Sequence, residues 1–430
     1  MDPYIQSLID LVRIESVTDR VPDAECLYGE GVKQAVDQAL ALCESLGFRT
    51  RNDGYRTAWA EIGSGDPLTA ILVHLDVVPV GSGWAHEQGE ICDGNLYGRG
   101  VTDDKGPAIA CIYAMKDLLD SGIPIRGRFR ILFGMSEENG DWVDMEYYVE
   151  HEELPDRGFT PDADFPLIFA EKGISMIRLN APCPAYIADF AGGTAPNVVP
   201  DTCMAQVLYA NGEEEEFRTV GVAAHGSMPD KGVNAISRMM ELLYERRTEL
   251  AGRSEGDRDF LQFWHDCIDW DHHGEHLGID LEDEVSGKLT FNPGVLNRKD
   301  GKLSMMMDLR YPVSADFEVI KAAITAKAEA YGVQIEIPMH MAPISHELSD
   351  PFLQALLAAY REETGDLSEP ICIGGGTYAR AMPHIAAFGP MLPGRPMTEH
   401  QRDECMALED LHAIRRIYAK ALRHLAEQQL

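Results

Sequence analysis

The chain has 430 residues, of which 45% are hydrophobic and 25% charged, and its formal net charge is −34. That length exceeds what one compact core usually serves, so two domains are expected. The acidic excess argues against a nucleic-acid partner, whose phosphates need a basic surface, and no apolar run approaches the roughly 20 residues of a membrane span.

In chain order, Ile5, Leu8, Ile9 and Val12 recur at helical spacing, and a second helix is expected over 31–46. "TAILVHL" from Thr69 and "GRFRILFGM" from Gly127 are short apolar runs with polar or glycine borders, as buried strands are. Between them "GPAIACIYAMKDLLDSG" reads as a helix that begins after Asp104 and stops at Gly122. "FPLIFAEKG" closes this stretch as a further strand. After Gly173 the texture turns β-rich ("ISMIRLNAPC", "TCMAQVLYANG", "EEFRTVGVAAHGS"), with a helix from Asn234 to Glu249. The charged segment 252–284 is expected to include a long surface excursion. A hairpin turns at "NRKDGK", and a helix over 316–331 precedes the strand "VQIEIPM". From Pro351 the α/β texture returns, with a helix over 351–363, the turn "IGGGTYAR" and a C-terminal helix over 408–427.

The expected fold class is therefore α/β. A split catalytic domain (1–173 and 344–430) with a mixed, mainly parallel sheet flanked by helices carries an inserted α+β lid domain (174–343). The N-terminus has no basic stretch followed by an apolar core, so no signal peptide is expected and the cytoplasm is the expected compartment. The nine cysteines include no C-x-x-C pair, which leaves neither structural disulfides nor a thiolate zinc site expected. Cys92, Cys111, Cys203 and Cys372 read as core residues.

Three acidic sites follow the expected strands. His74 and Asp76 end the first, two residues apart, so both can face one side. Asp103 and Asp104 follow the turn Gly98–Arg99–Gly100. Glu137 and Glu138 close the next strand in "SEENGDW". In an open parallel sheet such strand ends lie along one rim, where ligands bind. Histidine and carboxylates gathered there suit a divalent metal.

The ordered set "HLDVVP", "GRGVTDDKGP", "SEENGDW", "TPDADFPLIFAEKG", "GVAAHGSMP" and "GGGTYAR" resembles the di-metal exopeptidase family of carnosinase, carboxypeptidase G and succinyl-diaminopimelate desuccinylase. Within it the chain is most similar to the bacterial dipeptidase branch of PepV and Sapep. The resemblance runs over nearly the whole chain. It implies two divalent metals, zinc first and manganese or cobalt as alternatives. His74, Asp103 and Asp162 would hold one; Asp103, Glu138 and His400 would hold the other, with Asp103 bridging. Glu171 is the alternative to Asp162, and His384 to His400, before which this chain has extra proline and glycine. Glu137 would be the general base, and Asp76 would sit behind His74. His225 would stabilise the oxyanion, and Arg310 would clamp the substrate's carboxylate. Asn197 would assist one or the other, and Gly375, Gly376 and Thr377 would add backbone donors, with the two domains closing on the substrate. The implied activity is hydrolysis of dipeptides by a monomer; deacylation of N-acyl amino acids is the alternative, and a non-catalytic binding protein of this fold is a third. "DHHGEH" (271–276) reads as surface. No HExxH or GxSxG motif occurs.

Overall fold

The computed structural model describes residues 2–20, 25–254 and 256–428. They form two compact units. One comprises the chain up to Phe169, His346–Ile371 and the chain from Thr377; the other comprises Ala170–Ser345 with Cys372–Gly376.

The first unit is built on a mixed sheet, with strands in the order Arg49–Asn52, Ala58–Ser64, Gly127–Gly134, Leu68–His74, Arg157–Thr160, Ile385–Ala387 and Ile168–Glu171. Leu68–His74 runs parallel to both its neighbours, Gly127–Gly134 and Arg157–Thr160. Ile385–Ala387 is parallel to Arg157–Thr160, and the other pairings in this order are antiparallel. All seven residues of Leu68–His74 are buried, as expected of a parallel strand covered on both faces. Helices Lys105–Asp120 and Leu408–Glu427 pack together. Ile109, Ile112, Met115, Leu411, Ile414 and Leu422 are among the residues of this core, each contributing about 1.5–3 kcal/mol by burial. Arg415 grips Asp117 across the pair with two hydrogen bonds of 2.9 and 2.7 Å.

The three central parallel strands place their carboxyl ends side by side. His74 ends one, Glu137 and Glu138 follow Gly134, and Asp162 follows Thr160. Gly134 itself leaves no alternative residue: a Cβ there would lie 2.4 Å from the ring of Tyr378.

The second unit is a seven-stranded antiparallel sheet. Its order is Glu214–Val220, Thr202–Leu208, Ile187–Gly192, Thr290–Lys299, Lys302–Tyr311, Gly173–Pro182 and Gln334–Met341. Helices Ala235–Glu245 and Phe317–Glu329 contribute to its core. The expected fold class, an α/β domain interrupted by an α+β insertion, matches this architecture.

Within segment 252–284, helix Phe260–Cys267 sends Phe260, Leu261, Phe263 and Trp264 into the second core, with Trp264 only 1% exposed. Its apolar face is one short helical stripe inside a charged stretch, which hides it from composition. Cys92 and Cys372 are half-buried rather than core, while Cys111 and Cys203 are buried. All nine cysteines are free. In "DHHGEH" the Asp271 carboxylate accepts the backbone N–H groups of His273, Gly274 and His276, which makes it a turn anchor. No helix among the described residues is long and apolar enough to cross a membrane.

Candidate metal centre

Among the described residues, His74, Asp103 and Asp162 offer donor atoms within 4.8 Å of one another, and so do Asp103, Glu138 and His400. The two groups share Asp103. His74 Nε2 lies 2.8 Å from Asp103 Oδ1 and 3.7 Å from Asp162 Oδ2. His400 Nε2 lies 2.9 Å from Asp103 Oδ2 and 3.1 Å from Glu138 Oε2. One oxygen of Asp103 thus faces each histidine, the arrangement that lets a carboxylate bridge two cations.

The local supports are specific. His74 Nδ1 is 2.9 Å from the backbone carbonyl of Asp76. A carbonyl only accepts, so Nδ1 carries the proton and the lone pair of the neutral ring sits on Nε2, facing the carboxylates. The Asp76 carboxylate is 3.5 Å from the same nitrogen, and its main partners are elsewhere. It accepts the backbone N–H of Glu137 at 3.2 Å and of Glu138 at 3.1 Å, and Thr18 donates to it. Asp76 therefore orients both glutamates as well as backing His74. Asp104 is the first residue before helix Lys105–Asp120 but makes no cap bond to it. Its Oδ2 accepts the backbone N–H of His74, and its buried Oδ1 has no hydrogen-bond partner among the described residues. Burial raises its pKa well above the carboxylate range, and it belongs to neither donor group.

The electrostatics test whether this donor set fits cations. Burial alone would push Asp103 up, yet hydrogen bonds from His400 and His74 hold its carboxyl well below the usual range. His400 is pushed up to about 11 by its bonds to Asp103 and Glu138. Burial works against the charged form of His74, but Asp103 and Asp76 hold its imidazolium far above the ordinary histidine value. Asp162 is raised to about 8 by burial and by the charge of Asp103. The acidic groups that converge here thus favour positive charge at both histidines. The same N/O donors, with the histidine protons displaced, fit two divalent ions. Glu137 is raised well above the carboxylate range by burial and by Asp162, Asp103 and Glu138, with His74 opposing. It is in neither donor group, so its carboxylate is left for a proton.

The alternatives fall elsewhere. His384 is exposed, and Glu171 is buried in its strand; neither belongs to a donor group among the described residues.

The second unit gathers another set. Ser227 donates its backbone N–H to His225 Nδ1 at 3.2 Å, which fixes the neutral ring with its proton on Nε2. Burial and Arg310 lower the His225 pKa, so at neutral pH the ring is an uncharged donor. Arg310 forms a fork with Asp308, at 2.7 Å from Nε and 2.9 Å from Nη2, and gives Nη1 to the Gly374 carbonyl. Asn197 is exposed; its carbonyl accepts the N–H of Gly226, where a Cβ would touch both Asn197 and Asp308. Gly374 contributes a carbonyl that steadies Arg310. Thr377 uses its hydroxyl to accept the N–H of Ala379.

Sequence reasoning missed Glu404. Its buried carboxylate takes Arg99 Nη1 at 2.6 Å, the N–H of Gly100 at 3.0 Å, of Thr102 at 2.9 Å and of Asp103 at 3.4 Å. It thereby fixes the turn that presents Asp103, from a loop that also carries His400. A glutamate four residues after an expected ligand was the available signal. Glu404→Ala is expected to weaken metal binding by about 10–100-fold, and Glu404→Gln, which keeps an acceptor oxygen, much less. Calorimetric titration of metal into folded apo-protein checks this; wild-type affinity in the alanine variant would refute it. It also missed Tyr378, buried edge-on to the His74 ring and donating to Asp144.

The model of peptidase family M20/M25/M40 matches residues 70–424. The chain belongs to this family. This M20 peptidase is 35% identical to "Putative dipeptidase YtjP" of Bacillus subtilis (strain 168), over 99% of its own length and 98% of that protein. It is 33% identical to the similarly named SSP1012 of Staphylococcus saprophyticus, over 100% and 98%. Among solved structures it shares the fold of human carnosine dipeptidase 1, with a TM-score of 0.62 at 17% identity over 99% and 96% of the two chains. It also shares that of aminoacylhistidine dipeptidase from Vibrio alginolyticus, with a TM-score of 0.64 at 13% identity over 100% and 98%. The M20 peptidase is a metallopeptidase, and its cofactors are divalent metal ions.

Proposed function

We propose that this M20 peptidase is a dipeptidase whose centre holds two divalent ions, zinc first, with manganese or cobalt as alternatives. The observation that carries the reading is the pair of three-donor groups sharing Asp103 with Glu137 standing free beside them. The names of the curated relatives support the dipeptide as substrate. His74, Asp103 and Asp162 would hold one ion, and Asp103, Glu138 and His400 the other. When bound, the ions supply Lewis acidity for the water and for the scissile carbonyl.

The chain's own residues do the rest. Glu137 takes the proton of the attacking water and delivers it to the leaving amine, a task suited to a carboxylate whose pKa lies above the ordinary range. Asp76 holds the backbone of Glu137 and Glu138 and keeps His74 in its productive tautomer. His225, neutral with a proton on Nε2, donates to the developing oxyanion. Arg310 binds the terminal carboxylate, its fork already aligned by Asp308 and Gly374. Asn197 and the turn Gly375–Gly376–Thr377 support these two contacts.

The test is a substrate panel with the metal-loaded enzyme: free dipeptides against the matching N-acyl amino acids. Dipeptides are expected to turn over with kcat/KM at least tenfold higher (about 1.4 kcal/mol). Turnover confined to the acylated set would replace the dipeptidase reading with a deacylase.

A further inference from the structure

A third donor cluster lies outside the Asp103 groups. His86, Glu90 and Cys92 also bring an imidazole nitrogen, a carboxylate oxygen and a thiol within 4.8 Å of one another. The strand Glu90–Cys92 pairs with Asn95–Tyr97, which pairs in turn with Cys405–Ala407. Glu90 and Cys92 are two residues apart, so both project from one face of this ribbon. The hairpin between them and Asn95 is a two-residue turn with φ of 48° at Asp93 and 82° at Gly94. That is the turn whose twist suits a tight hairpin, and it leaves the ribbon little slack.

His86 is placed over the same face. Its ring stacks on Tyr97, the residue opposite Glu90, with centroids 3.7 Å apart. Its backbone is pinned, because Asp403 Oδ1 accepts the N–H groups of Ala85 and His86. The ring's Nδ1 is shielded from solvent and has no hydrogen bond among the described residues, although Glu90 Oε2 lies 3.4 Å away. A buried nitrogen left without a bond is costly unless a further partner satisfies it. A tetrahedral ion with bonds of about 2.0–2.3 Å separates its donors by roughly 3.3–3.8 Å, a range that includes the 3.4 Å between His86 Nδ1 and Glu90 Oε2.

We infer that His86, Glu90 and Cys92 form a further metal site, selective for a thiophilic divalent ion such as zinc. The nitrogen, oxygen and sulfur set disfavours magnesium and calcium, which take oxygen ligands. Three protein donors leave one position for water. The site sits on the ribbon that runs directly into the turn Gly98–Gly100, so the ion braces the segment leading to Asp103. The inference stands apart from the proposed dipeptidase activity, since none of the three residues belongs to the Asp103 groups.

Cobalt provides the test. The Asp103 groups contain only nitrogen and oxygen donors, so a thiolate-to-cobalt charge-transfer band in the Co²⁺-loaded enzyme reports a cysteine ligand. The band is expected in the wild-type protein and absent in Cys92→Ser. Elemental analysis after gel filtration is expected to show one zinc equivalent fewer in Cys92→Ser and in His86→Ala than in the wild type. Turnover is expected to stay within about threefold. The readout is a difference of one equivalent, so it does not depend on how many ions the Asp103 groups hold. No band, a band that survives Cys92→Ser, equal metal content in all three proteins, or loading only at millimolar zinc would each overturn the inference.

Discussion

Replacing Glu137 by glutamine is expected to lower kcat by about 10²–10⁴-fold, equivalent to about 3–5 kcal/mol of barrier, while metal content and KM change little. The substitution keeps size and removes only the proton acceptor. The features that position residue 137 survive it, because Asp76 holds the backbone N–H and not the side chain. Glu138, whose carboxylate faces His400, is untouched, so the ions remain. The measurement is steady-state kinetics on a good dipeptide, paired with elemental analysis of the same sample. A glutamine variant with wild-type kcat would remove Glu137 as the base; one that loses metal would make it a ligand instead.

Asp103→Ala carries the other large effect. One carboxylate serves both histidines, so its loss is expected to weaken both ions at once, beyond the roughly 10–100-fold cost of an outer partner. Activity should fall below detection at micromolar metal. By contrast, His400→Ala should release one ion and leave the group of His74 and Asp162 loaded. Equal metal content in both variants would refute the bridging role. The same centre sets a sign for pH. Without metal, Asp162 keeps its proton up to about 8 and His400 up to about 11. Cations must displace those protons, so metal affinity of the wild type should rise from pH 6 to pH 8. Calorimetry in buffers of different ionisation enthalpy would count the protons released.

Much of this was legible in the sequence, for physical reasons that differ by residue. "TAILVHL" and "GRFRILFGM" announce themselves because strands buried on both faces read as short, mainly apolar runs, and their ends locate His74, Glu137 and Glu138. Arg49–Asn52, all polar at the sheet edge, carries no such signal. Asp162 and His400 were reached only through resemblance, since neither the short turn around Asp162 nor the left-handed backbone of His400, with φ of 60°, has a periodic pattern. Glu404 offers only the weak signal of its place four residues after His400, because its importance lies in the backbone N–H groups it holds, which every residue has. The deployment of Asp76 toward the two glutamates, and not chiefly toward His74, likewise depends on a turn geometry that sequence does not encode locally.

The bonds from Glu404 to Gly100 and Thr102 join residues 304 and 302 positions apart, and the first unit is completed only by the end of the chain. Domains normally fold in the order in which they leave the ribosome, but this one cannot. A nascent chain that has already displayed His74, Asp103, Glu138 and Asp162 still lacks both His400 and the residue that anchors the Asp103 turn. Any stretch of this chain that stops short of residue 400 therefore holds one donor group, that of His74, Asp103 and Asp162, and lacks a member of the other.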